Sequence, residues 1–325
     1  MDCNNCIIEE LKFEFDVNGE HNLQVLPEVI QHLYRRQLLH NATDNRLVIK
    51  ESGVKDFLDF CNDHMDPEGI TFRVKGGEWG QLSGAAAILE MQWIDEVILK
   101  ELVTCHFQPI VNSNEEIYAY EALARFRKED GSILYPNAIF TAARSRGRLY
   151  ALDRLCRMTA VKYAVPLKRK TFINFIPTSI YSPEFCLKST VQLANQLGVD
   201  PGLFVFEVVE TEKVDDLAHL KRILTYYKER GFQYALDDVG EGHSTIEMLT
   251  ELMPHYMKLD MKYVQGVSGD AEKQQVAVSF LDKAIEIQSV PLAEGIETRE
   301  DFEWLKQAGY QLFQGYLFGK PAPIA

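Results

Sequence analysis

The sequence predicts an α/β protein in two parts, a (β/α)8 TIM-like barrel with one antiparallel strand and a small α/β module before it. The chain has 325 residues, and at roughly 150 residues per domain this length allows about two domains. From residue 105 onward, short runs rich in β-branched and aromatic residues alternate with helical stretches, which is the rhythm of such a barrel. The first two runs are joined by NSNEE alone. This linker is too short for a crossover helix, so we expect an antiparallel hairpin.

Residues 1–85 predict the small α/β module, which we interpret as regulatory or sensory. LKFEF, LVIKE and ITFRV are typical of strands, and PEVIQHLYRRQLL and VKDFLDFCNDH are typical of helices. Residues 86–103 predict a connecting helix with Met91, Ile94, Ile98 and Leu102 on one stripe. This stripe either packs on the barrel or forms a signalling or dimer-forming helix.

Residues 104–325 contain the predicted barrel. Its strand runs are Cys105–Val111, Ile117–Arg125, Thr171–Ile176, Phe204–Val209, Phe232–Val239, Tyr256–Asp260, Val290–Ile296 and Gln311–Tyr316. The stretch DLAHLKRILTYYKERG illustrates the helices between them, because Leu217, Leu220 and Leu224 repeat at helical spacing and Gly231 suits a C-cap.

The composition excludes several classes of protein. Hydrophobic residues make up 46% and charged residues 25%, so a disordered or fibrous chain is excluded. The net charge of −14, from 34 Lys and Arg against 48 Asp and Glu, argues against general binding of DNA or RNA or of an anionic membrane surface. Six cysteines are too few for a disulfide scaffold in a chain this long. No apolar run approaches the ~20 residues of a membrane span, and the N-terminus lacks a signal-peptide core. We therefore expect a soluble cytoplasmic protein.

Polar side chains lie in these apolar strand runs, where an unpaired ionisable group costs several kcal/mol to bury. Nearly every strand after the first carries one near its C-terminal end, the face at which barrels build active sites. The candidate site residues are Glu121, Asn174, Glu207, Asp237, Asp238, Lys258, Glu294, Glu297 and Gln314. Six carboxylates against one lysine cannot all stay ionised in one cleft without added cations.

Oxygen ligands, including the Asn174 carbonyl, select the hard divalent ions Mg²⁺, Mn²⁺ or, less usefully, Ca²⁺. Adjacent Asp237 and Asp238 suit two ions held close together, because a strand end can direct one side chain to each. Two metals about 3.5–4 Å apart are the usual arrangement for phosphodiester hydrolysis. A single strand-end acid is more often a cap or a rim residue, but the whole set predicts a divalent-metal hydrolase site.

The residues around these positions resemble the EAL-domain family of cyclic di-GMP phosphodiesterases, over residues 104–323. FQPIV followed by YEALAR resembles the motif that names the family, FINFIP its Asn-bearing strand and FEVVETE its metal-binding Glu segment. LDDVGEGHST resembles the Asp-Asp loop, and MKLD, LAEGIET and FQGYLFGKP resemble the remaining signatures. The resemblance implies hydrolysis of cyclic di-GMP to linear pGpG with two Mg²⁺ or Mn²⁺ per site, and a homodimer.

The resemblance also implies a role for each matched residue. Metal ligands are implied at Glu121, Asn174, Glu207, Asp237 and Asp238. Catalytic roles around the attacking water and the Asp-Asp loop are implied at Lys258, Glu294, Glu297 and Gln314. Arg125 matches the arginine that grips a substrate phosphate, a use that suits a planar guanidinium fork.

Two segments depart from the family pattern. In the Asp-Asp loop, Val239 replaces an aromatic residue, Glu241 a threonine and His243 a tyrosine. These are either tolerated loop substitutions or changes that weaken activity or alter dimer coupling. Residues 143–147, ARSRG, stand where the family commonly has acidic residues before a glycine. This change either alters substrate-loop contacts or recharges a solvated surface.

The N-terminal module carries two pairs of metal-ligating residue types, each with a two-residue spacer. Cys3 with Cys6 and Cys61 with His64 would make a tetrahedral structural Zn²⁺ site. Redox chemistry of Cys3 and Cys6 is an alternative. A third is that the residues are unlinked, with a frayed terminus and a packed Cys61.

The leading hypothesis is a cyclic di-GMP phosphodiesterase regulated by its N-terminal module. A catalytically weak cyclic di-GMP receptor or protein-interaction module is the alternative, although every matched catalytic position is filled. A third hypothesis is that the N-terminal module binds a partner protein and the barrel's activity is secondary.

Overall fold

The structure, a computed structural model, describes residues 8–128, 131–134, 136–209, 216–239 and 251–324, and it gives the backbone alone for Asp238 and Val239. The strands are β1 (Lys12–Val17), β2 (Leu39–Ala42), β3 (Arg46–Lys50), β4 (Ile70–Val74), β5 (Gly80–Gln81), β6 (Val103–Asn112), β7 (Ile117–Arg127), β8 (Ile133–Leu134), β9 (Lys170–Phe175), β10 (Phe204–Val208), β11 (Gln233–Val239), β12 (Tyr256–Leu259), β13 (Val290–Ala293) and β14 (Leu312–Gln314). The α-helices of the described residues are α1 (Glu20–Arg35), α2 (Glu51–His64), α3 (Gly84–Glu90), α4 (Trp93–Leu99), α5 (Pro136–Ser145), α6 (Leu149–Ala164), α7 (Pro183–Cys186), α8 (Lys188–Gln196), α9 (Leu217–Lys228), α10 (Met261–Val264), α11 (Ala271–Glu286) and α12 (Arg299–Ala308). The chain divides into two units, residues 1–102 with 127–152 and residues 103–126 with 153–325.

The first unit contains an antiparallel sheet in the order β2-β3-β1-β4-β5. Alternate residues of β1 are buried, so Phe13, Phe15 and Val17 face the core, as period-two alternation predicts. Leu33 of α1 and Phe57 of α2 belong to the same core cluster. The predicted small α/β module is therefore confirmed, and its order of strands and helices is that of a ferredoxin-like unit with an added edge strand.

Parts of this unit differ from the sequence-based expectation. The stretch PEVIQHLYRRQLL is predicted as a helix, but α1 begins at Glu20, so that Pro27 lies inside it. Residues 86–103, predicted as one connecting helix, are instead divided between the short helix α3, which already begins at Gly84, and the short helix α4. Each buries its own residues, Ala85 in α3 and Ile94 and Val97 in α4.

Eight strands close a barrel in the order β6-β14-β13-β12-β11-β10-β9-β7, and the pairing of β7 with β6 completes the ring. Neighbouring strands are parallel except at β6, which runs antiparallel to both β7 and β14. The predicted TIM-like barrel with one antiparallel strand is confirmed, and β6 is the reversed strand.

Each of the eight strands contributes one residue to an apolar layer inside the barrel. The layer consists of Ile110, Ala119, Phe172, Val205, Ala235, Tyr256, Leu292 and Leu312. Such side-chain layers fill the interior of a (β/α)8 barrel, so this level of the barrel is a packed core and no channel passes through it. The layer is the floor on which the candidate site is built.

None of the helices in the described part of the chain combines the length and the hydropathy that a membrane-spanning helix requires.

Candidate active site

The next layer of the barrel is polar on every strand. It lies two residues beyond the apolar layer in the parallel strands and two residues before it in the reversed β6. Its members are Gln108, Glu121, Asn174, Glu207, Asp237, Lys258, Glu294 and Gln314. Because side chains alternate along a strand, residues two apart on every strand point to the same interior. The barrel register therefore brings together the predicted site residues of seven strands, and it adds Gln108.

Local backbone features set the ends of three strands. The register of β11 with β12 shifts between Leu236 and Val239, so Asp237 and Asp238 lie opposite Lys258 alone, and such a bulge redirects side chains. Gly315 follows Gln314, and a Cβ there would lie 2.0 Å from the Ile296 carbonyl oxygen. Only glycine allows this close approach of two backbone segments at the floor of the site.

Glu121 is held by two side-chain amides. Asn174 Nδ2 donates to Glu121 Oε1 at 3.0 Å, and Gln314 Nε2 donates to Oε2 at 2.6 Å. Gln314 Nε2 also lies 3.2 Å from Gln108 Oε1. The side chain of Glu121 is 6% exposed, so these contacts fix the direction of a nearly buried carboxylate.

Lys258 lies among three carboxylates. Its Nζ is 2.9 Å from Asp237 Oδ1, 3.1 Å from Glu207 Oε1 and 3.1 Å from Glu294 Oε2. Burial alone would lower the pKa of Lys258, but the surrounding carboxylates, led by Asp237, hold it well above its usual value. Lys258 is therefore a permanent ammonium ion at the centre of the acids.

The single ammonium ion does not balance the acids. Burial raises the pKa of Glu207 well above its usual range, and the Lys258 charge opposes this only in part. Burial likewise raises the pKa of Glu294, and the neighbouring Asp237 charge raises it further. A raised pKa at two buried carboxyl groups beside a lysine indicates that the site has too little positive charge to balance its acids.

Several oxygen atoms of the layer are buried without a hydrogen-bond partner among the described residues. They are Asn174 Oδ1, Gln314 Oε1, Glu294 Oε1 and both carboxylate oxygens of Glu207. Lys258 Nζ lies near Glu207 Oε1 but without hydrogen-bond geometry. Oxygen atoms of this kind fit a hard divalent cation. Within the described part of the chain, no group of three or more His, Cys, Asp or Glu side chains is already arranged to hold a metal ion. The ammonium of Lys258 lies among three of the acids, and the Asp238 side chain is outside the described residues.

A cavity of about 260 Å³ opens onto this layer. Its lining residues are Gln108, Glu121, Leu123, Asp260, Met261, Gln265, Glu294, Gly295, Glu297, Gln314, Gly315 and Tyr316. Glu297 is exposed in this lining, and Gln265 Nε2 lies 3.4 Å from its Oε1. Arg125 follows Glu121 on the same face of β7, but it is not a lining residue, and its Nη1 donates to the Ala124 carbonyl at 2.9 Å.

The sequence reasoning missed several residues of this lining, among them Gln108, Leu123, Met261, Gln265 and Tyr316. Gln108 had a usable signal, because a hairpin that aligns FQPIV with YEALAR pairs Gln108 with Glu121. Gln108 was nevertheless missed, because its side chain is a neutral amide and no charge distinguishes it within the apolar run. The other four follow strand ends or lie on the face of Glu121, and only the tertiary fold brings them to the cavity.

Several predicted residues fall outside the described part of the chain. These are Cys3, Cys6, Glu241 and His243, together with the side chains of Asp238 and Val239. Of the predicted zinc ligands, Cys61 is buried with its Sγ 3.7 Å from Met65 Sδ, and burial raises the pKa of its thiol to about 12. His64 is exposed, and its ring lies 4.9 Å from that of Phe60. The zinc site stays a prediction.

The departure at residues 143–147 contains a buried arginine. Arg146 is 0% exposed, and its Nη1 and Nη2 donate to the two Glu51 oxygens at 2.7 and 3.1 Å. Nη2 also donates to Asp95 Oδ2 at 2.7 Å, and Nη1 to the Ile88 carbonyl at 2.9 Å. The interpretation as a recharged solvated surface is therefore wrong for Arg146, which instead connects α2, α3 and α4 within the first unit.

The chain is similar to known proteins over the barrel. The family model described as "EAL domain" matches residues 91–321. The chain is 32% identical over 225 residues to the "Probable cyclic di-GMP phosphodiesterase PdeG" of Escherichia coli (strain K12), over 66% of this chain and 44% of that protein. It is 29% identical over 235 residues to "Probable cyclic di-GMP phosphodiesterase PdeB" of the same organism, over 71% of this chain and 45% of that protein. It thus spans less than half the length of these curated relatives.

Among solved structures, a standalone versatile EAL protein from Vibrio cholerae O395 in its c-di-GMP-bound form is 36% identical, with a TM-score of 0.61. The match covers 68% of this chain and 92% of that chain. The resemblance read from the sequence motifs is therefore confirmed by sequence and by structure.

Proposed function

Because this chain belongs to the EAL domain family, we propose that it hydrolyses one phosphodiester bond of cyclic di-GMP to give linear pGpG, with two divalent ions, Mg²⁺ or Mn²⁺, at the polar layer. The observation that carries this proposal is the layer itself. Eight strands place one polar side chain each at one level of the barrel, and five buried oxygen atoms there lack a hydrogen-bond partner among the described residues.

The residues that would hold the ions are Glu121, Asn174, Glu207, Asp237 and Asp238. When bound, divalent ions lower the pKa of a water ligand and offset charge on phosphoryl oxygens. The chain contributes the orientation of these ligands. The two amides that bind Glu121 leave Asn174 Oδ1 free to face the site.

We assign Lys258, Glu294 and Gln314 to the water that attacks the phosphodiester. They position this water and stabilise the negative charge that develops as it attacks. The Lys258 ammonium donates to a nearby oxygen and stabilises negative charge that builds up beside it. Gln314 and Glu294 line the same cavity and fix the position of that water. Glu297 is exposed among the residues that line the cavity, and we assign to it the role that the resemblance implies, support of the Asp-Asp loop. Arg125 binds a phosphate of the substrate, a role that requires its guanidinium to leave the Ala124 carbonyl.

The guanine bases need surfaces on which to stack. Tyr316 is 56% exposed and lines the cavity, and Lys320 Nζ lies 5.0 Å from the centre of its ring. Base stacking on an aromatic ring contributes about 1–3 kcal/mol per base. We assign Tyr316 as a stacking surface for one base of the dinucleotide.

We further propose that the N-terminal module regulates this site. Residues 127–152 lie within the span of the family match but belong to the first unit. The buried Arg146 joins them to Glu51 and Asp95 of that unit. A change in the module would therefore act on the segment that directly follows β7, the strand of Glu121.

The direct test is turnover of cyclic di-GMP by the purified chain with Mn²⁺ or Mg²⁺, followed by chromatography of pGpG. We expect conversion by the wild-type chain and no conversion by Glu121→Ala. Equal turnover by the two proteins would refute the assigned roles. Removal of residues 1–85 tests the regulation, because the rate should change if the module controls the site.

A cyclic di-GMP receptor without turnover is a second candidate. The observation that favours it is the position of Lys258, whose ammonium lies 3.1 Å from Glu207 and 2.9 Å from Asp237, two of the acids that would bind metal. Tight binding of cyclic di-GMP without pGpG formation, with either metal, would select this alternative.

A further inference from the structure

A buried ion pair lies next to the strand that carries Asn174. Asp153 and Arg157 are one turn apart on α6, and they are 3% and 0% exposed. Arg157 Nε donates to Asp153 Oδ2 at 2.9 Å. Neither residue lines the cavity of the site, so the chemistry proposed above makes no direct use of either.

The pair contacts the segment that follows β9. Asp153 Oδ1 accepts the Ile176 backbone N–H at 2.9 Å, and Ser179 Oγ lies 3.0 Å from Oδ2. Arg157 Nη1 donates to Thr190 Oγ1 on α8 at 2.8 Å. One carboxylate thus joins α6, the backbone after β9 and the 3-10 turn Pro177–Ser179, while the arginine extends the network to α8.

Asn174 lies where the strand pairing of β9 changes. The pairing with β7 extends to Ile173 opposite Ala122, whereas the pairing with β10 continues through Asn174 opposite Glu207 to Phe175. Beyond Ile173, pairing with β7 therefore no longer fixes the position of the β9 backbone. The Ile176 N–H is instead set by Asp153, two residues after Asn174.

A buried ion pair is a weak source of stability, because desolvation of the two charges offsets their attraction. Its contribution here is to fix backbone position, since the carboxylate accepts N–H groups from both Arg157 and Ile176 and so holds the two segments together. We propose that Asp153, held by Arg157, is a positioning residue for the site: it fixes the end of β9 so that the Asn174 amide donates to Glu121 and presents Oδ1 to a divalent ion. This inference rests on the proposed function and adds to it a determinant of metal affinity outside the cavity.

Two double variants of the full chain isolate the acceptor that Asp153 supplies. Asp153→Asn/Arg157→Met removes both charges but keeps a side-chain oxygen for the Ile176 N–H. Asp153→Leu/Arg157→Met removes both charges and that oxygen. Because the arginine is replaced in both, neither leaves an unpaired buried charge, and the two variants differ in the side-chain amide that supplies the acceptor. Tyr310→Phe is the control for general destabilisation, because it removes a buried hydrogen bond to the Ala277 carbonyl, 2.9 Å long, elsewhere in the barrel unit.

The readout is the dissociation constant of Mn²⁺, measured by isothermal titration calorimetry, with pGpG formation measured alongside. We expect the Leu variant to bind Mn²⁺ about 10–100-fold more weakly than the wild-type chain, as for other residues that orient metal ligands. The Asn variant should stay within about 3-fold, because it keeps the acceptor, and Tyr310→Phe should bind as the wild-type chain does. Equal Mn²⁺ affinity of the Leu and Asn variants, in a wild-type background that binds Mn²⁺, overturns the inference alone. A wild-type chain that binds no Mn²⁺ overturns the proposed function and this inference with it.

Discussion

Gln314 and Glu121 join the last strand of the barrel to the strand of the first hairpin, because Gln314 Nε2 donates to Glu121 Oε2 at 2.6 Å. The hydrogen bond fixes which oxygen of Glu121 faces the neighbouring Asn174 and which faces β14. Gln314→Leu removes the donor and lets the carboxylate rotate. We expect turnover of cyclic di-GMP to fall about 10–100-fold, as when other partners of metal ligands are removed.

The matched control for this prediction is Gln108→Leu. Gln108 Oε1 accepts the longer of the two hydrogen bonds from Gln314, at 3.2 Å, so its loss leaves the bond to Glu121 in place. A Gln108→Leu chain with as large a loss of turnover as Gln314→Leu would contradict the assigned role of Gln314. Steady-state kinetics at saturating Mn²⁺ make the comparison.

Lys258 supplies the cation that permits three acids to stay close together in the absence of metal. Lys258→Met removes a charge that lies 2.9–3.1 Å from Asp237, Glu207 and Glu294. Breaking a buried charge pair costs about 3–5 kcal/mol, so the melting temperature in EDTA should fall. Mn²⁺ should restore more of it than in the wild-type chain, because the ion replaces the missing charge.

Calorimetry with and without Mn²⁺ measures both effects, and turnover should be lost together with the ammonium ion. Lys221→Met is the control, because the ion pair of Lys221 with Glu251 is about half exposed and contributes about 1 kcal/mol or less. An unchanged response of the Lys258→Met chain to Mn²⁺ would show that metal and ammonium do not share these carboxylates.

Arg146 stabilises the first unit through buried charges. Arg146→Ala leaves Glu51 and Asp95 without their shared partner, so we expect the free energy of unfolding of this unit to fall by about 3–5 kcal/mol. Arg36→Ala, which removes the exposed pair with Asp56 in the same unit, should cost about 1 kcal/mol or less. Urea denaturation followed by circular dichroism distinguishes the two. Similar losses for both variants would exclude a special role for the buried cluster.

His255 makes the barrel sensitive to mild acid. Burial lowers the pKa of His255 below its usual value, and the charges of Lys228 and Lys170 act in the same direction. At pH 7 the ring is mostly neutral in the folded and the unfolded chain. As the pH falls below 6.5, the unfolded chain binds a proton that the folded ring resists, so the free energy of unfolding decreases.

His255→Asn should remove this part of the acid sensitivity, because the amide oxygen can accept the Tyr234 N–H in place of Nδ1 and does not titrate. The ring is half-buried, so we expect a difference of about 0.5 kcal/mol between the two proteins over pH 7.0 to 5.5. Urea denaturation at both pH values provides the measurement. A parallel loss of stability in the two proteins would count against the assignment to His255.

Much of the barrel could be predicted because its strands are short apolar runs with clear ends. The exact end of a strand was harder to predict. The run Val290–Ile296 was expected to be one strand, but β13 ends at Ala293 and Glu294 lies just after it. The polar layer could be predicted from where its residues lie in the strands, because ionisable residues at the same place in successive strands meet inside a barrel. The single connecting helix failed as a prediction because an apolar stripe does not reveal the break between α3 and α4.

The remaining features depend on contacts between residues far apart in the chain. Nothing local to ARSRG distinguishes the buried Arg146 from a solvated arginine, since its partners Glu51 and Asp95 are in other helices. Likewise, the sequence does not distinguish Asp153 from any other acidic residue of a helix, because only the fold brings the Ile176 N–H to it.

The reversal of β6 decides at which mouth of the barrel the preceding chain is attached. Val103 begins the strand opposite Phe126, beyond Glu121 along β7. A parallel first strand of the same 10 residues would begin at the other mouth, about 33 Å away. Any polypeptide that precedes Val103 therefore joins the barrel at the end that carries the polar layer. A barrel of this topology can acquire a new input domain by simple N-terminal fusion, without a long linker to carry the signal from one mouth to the other.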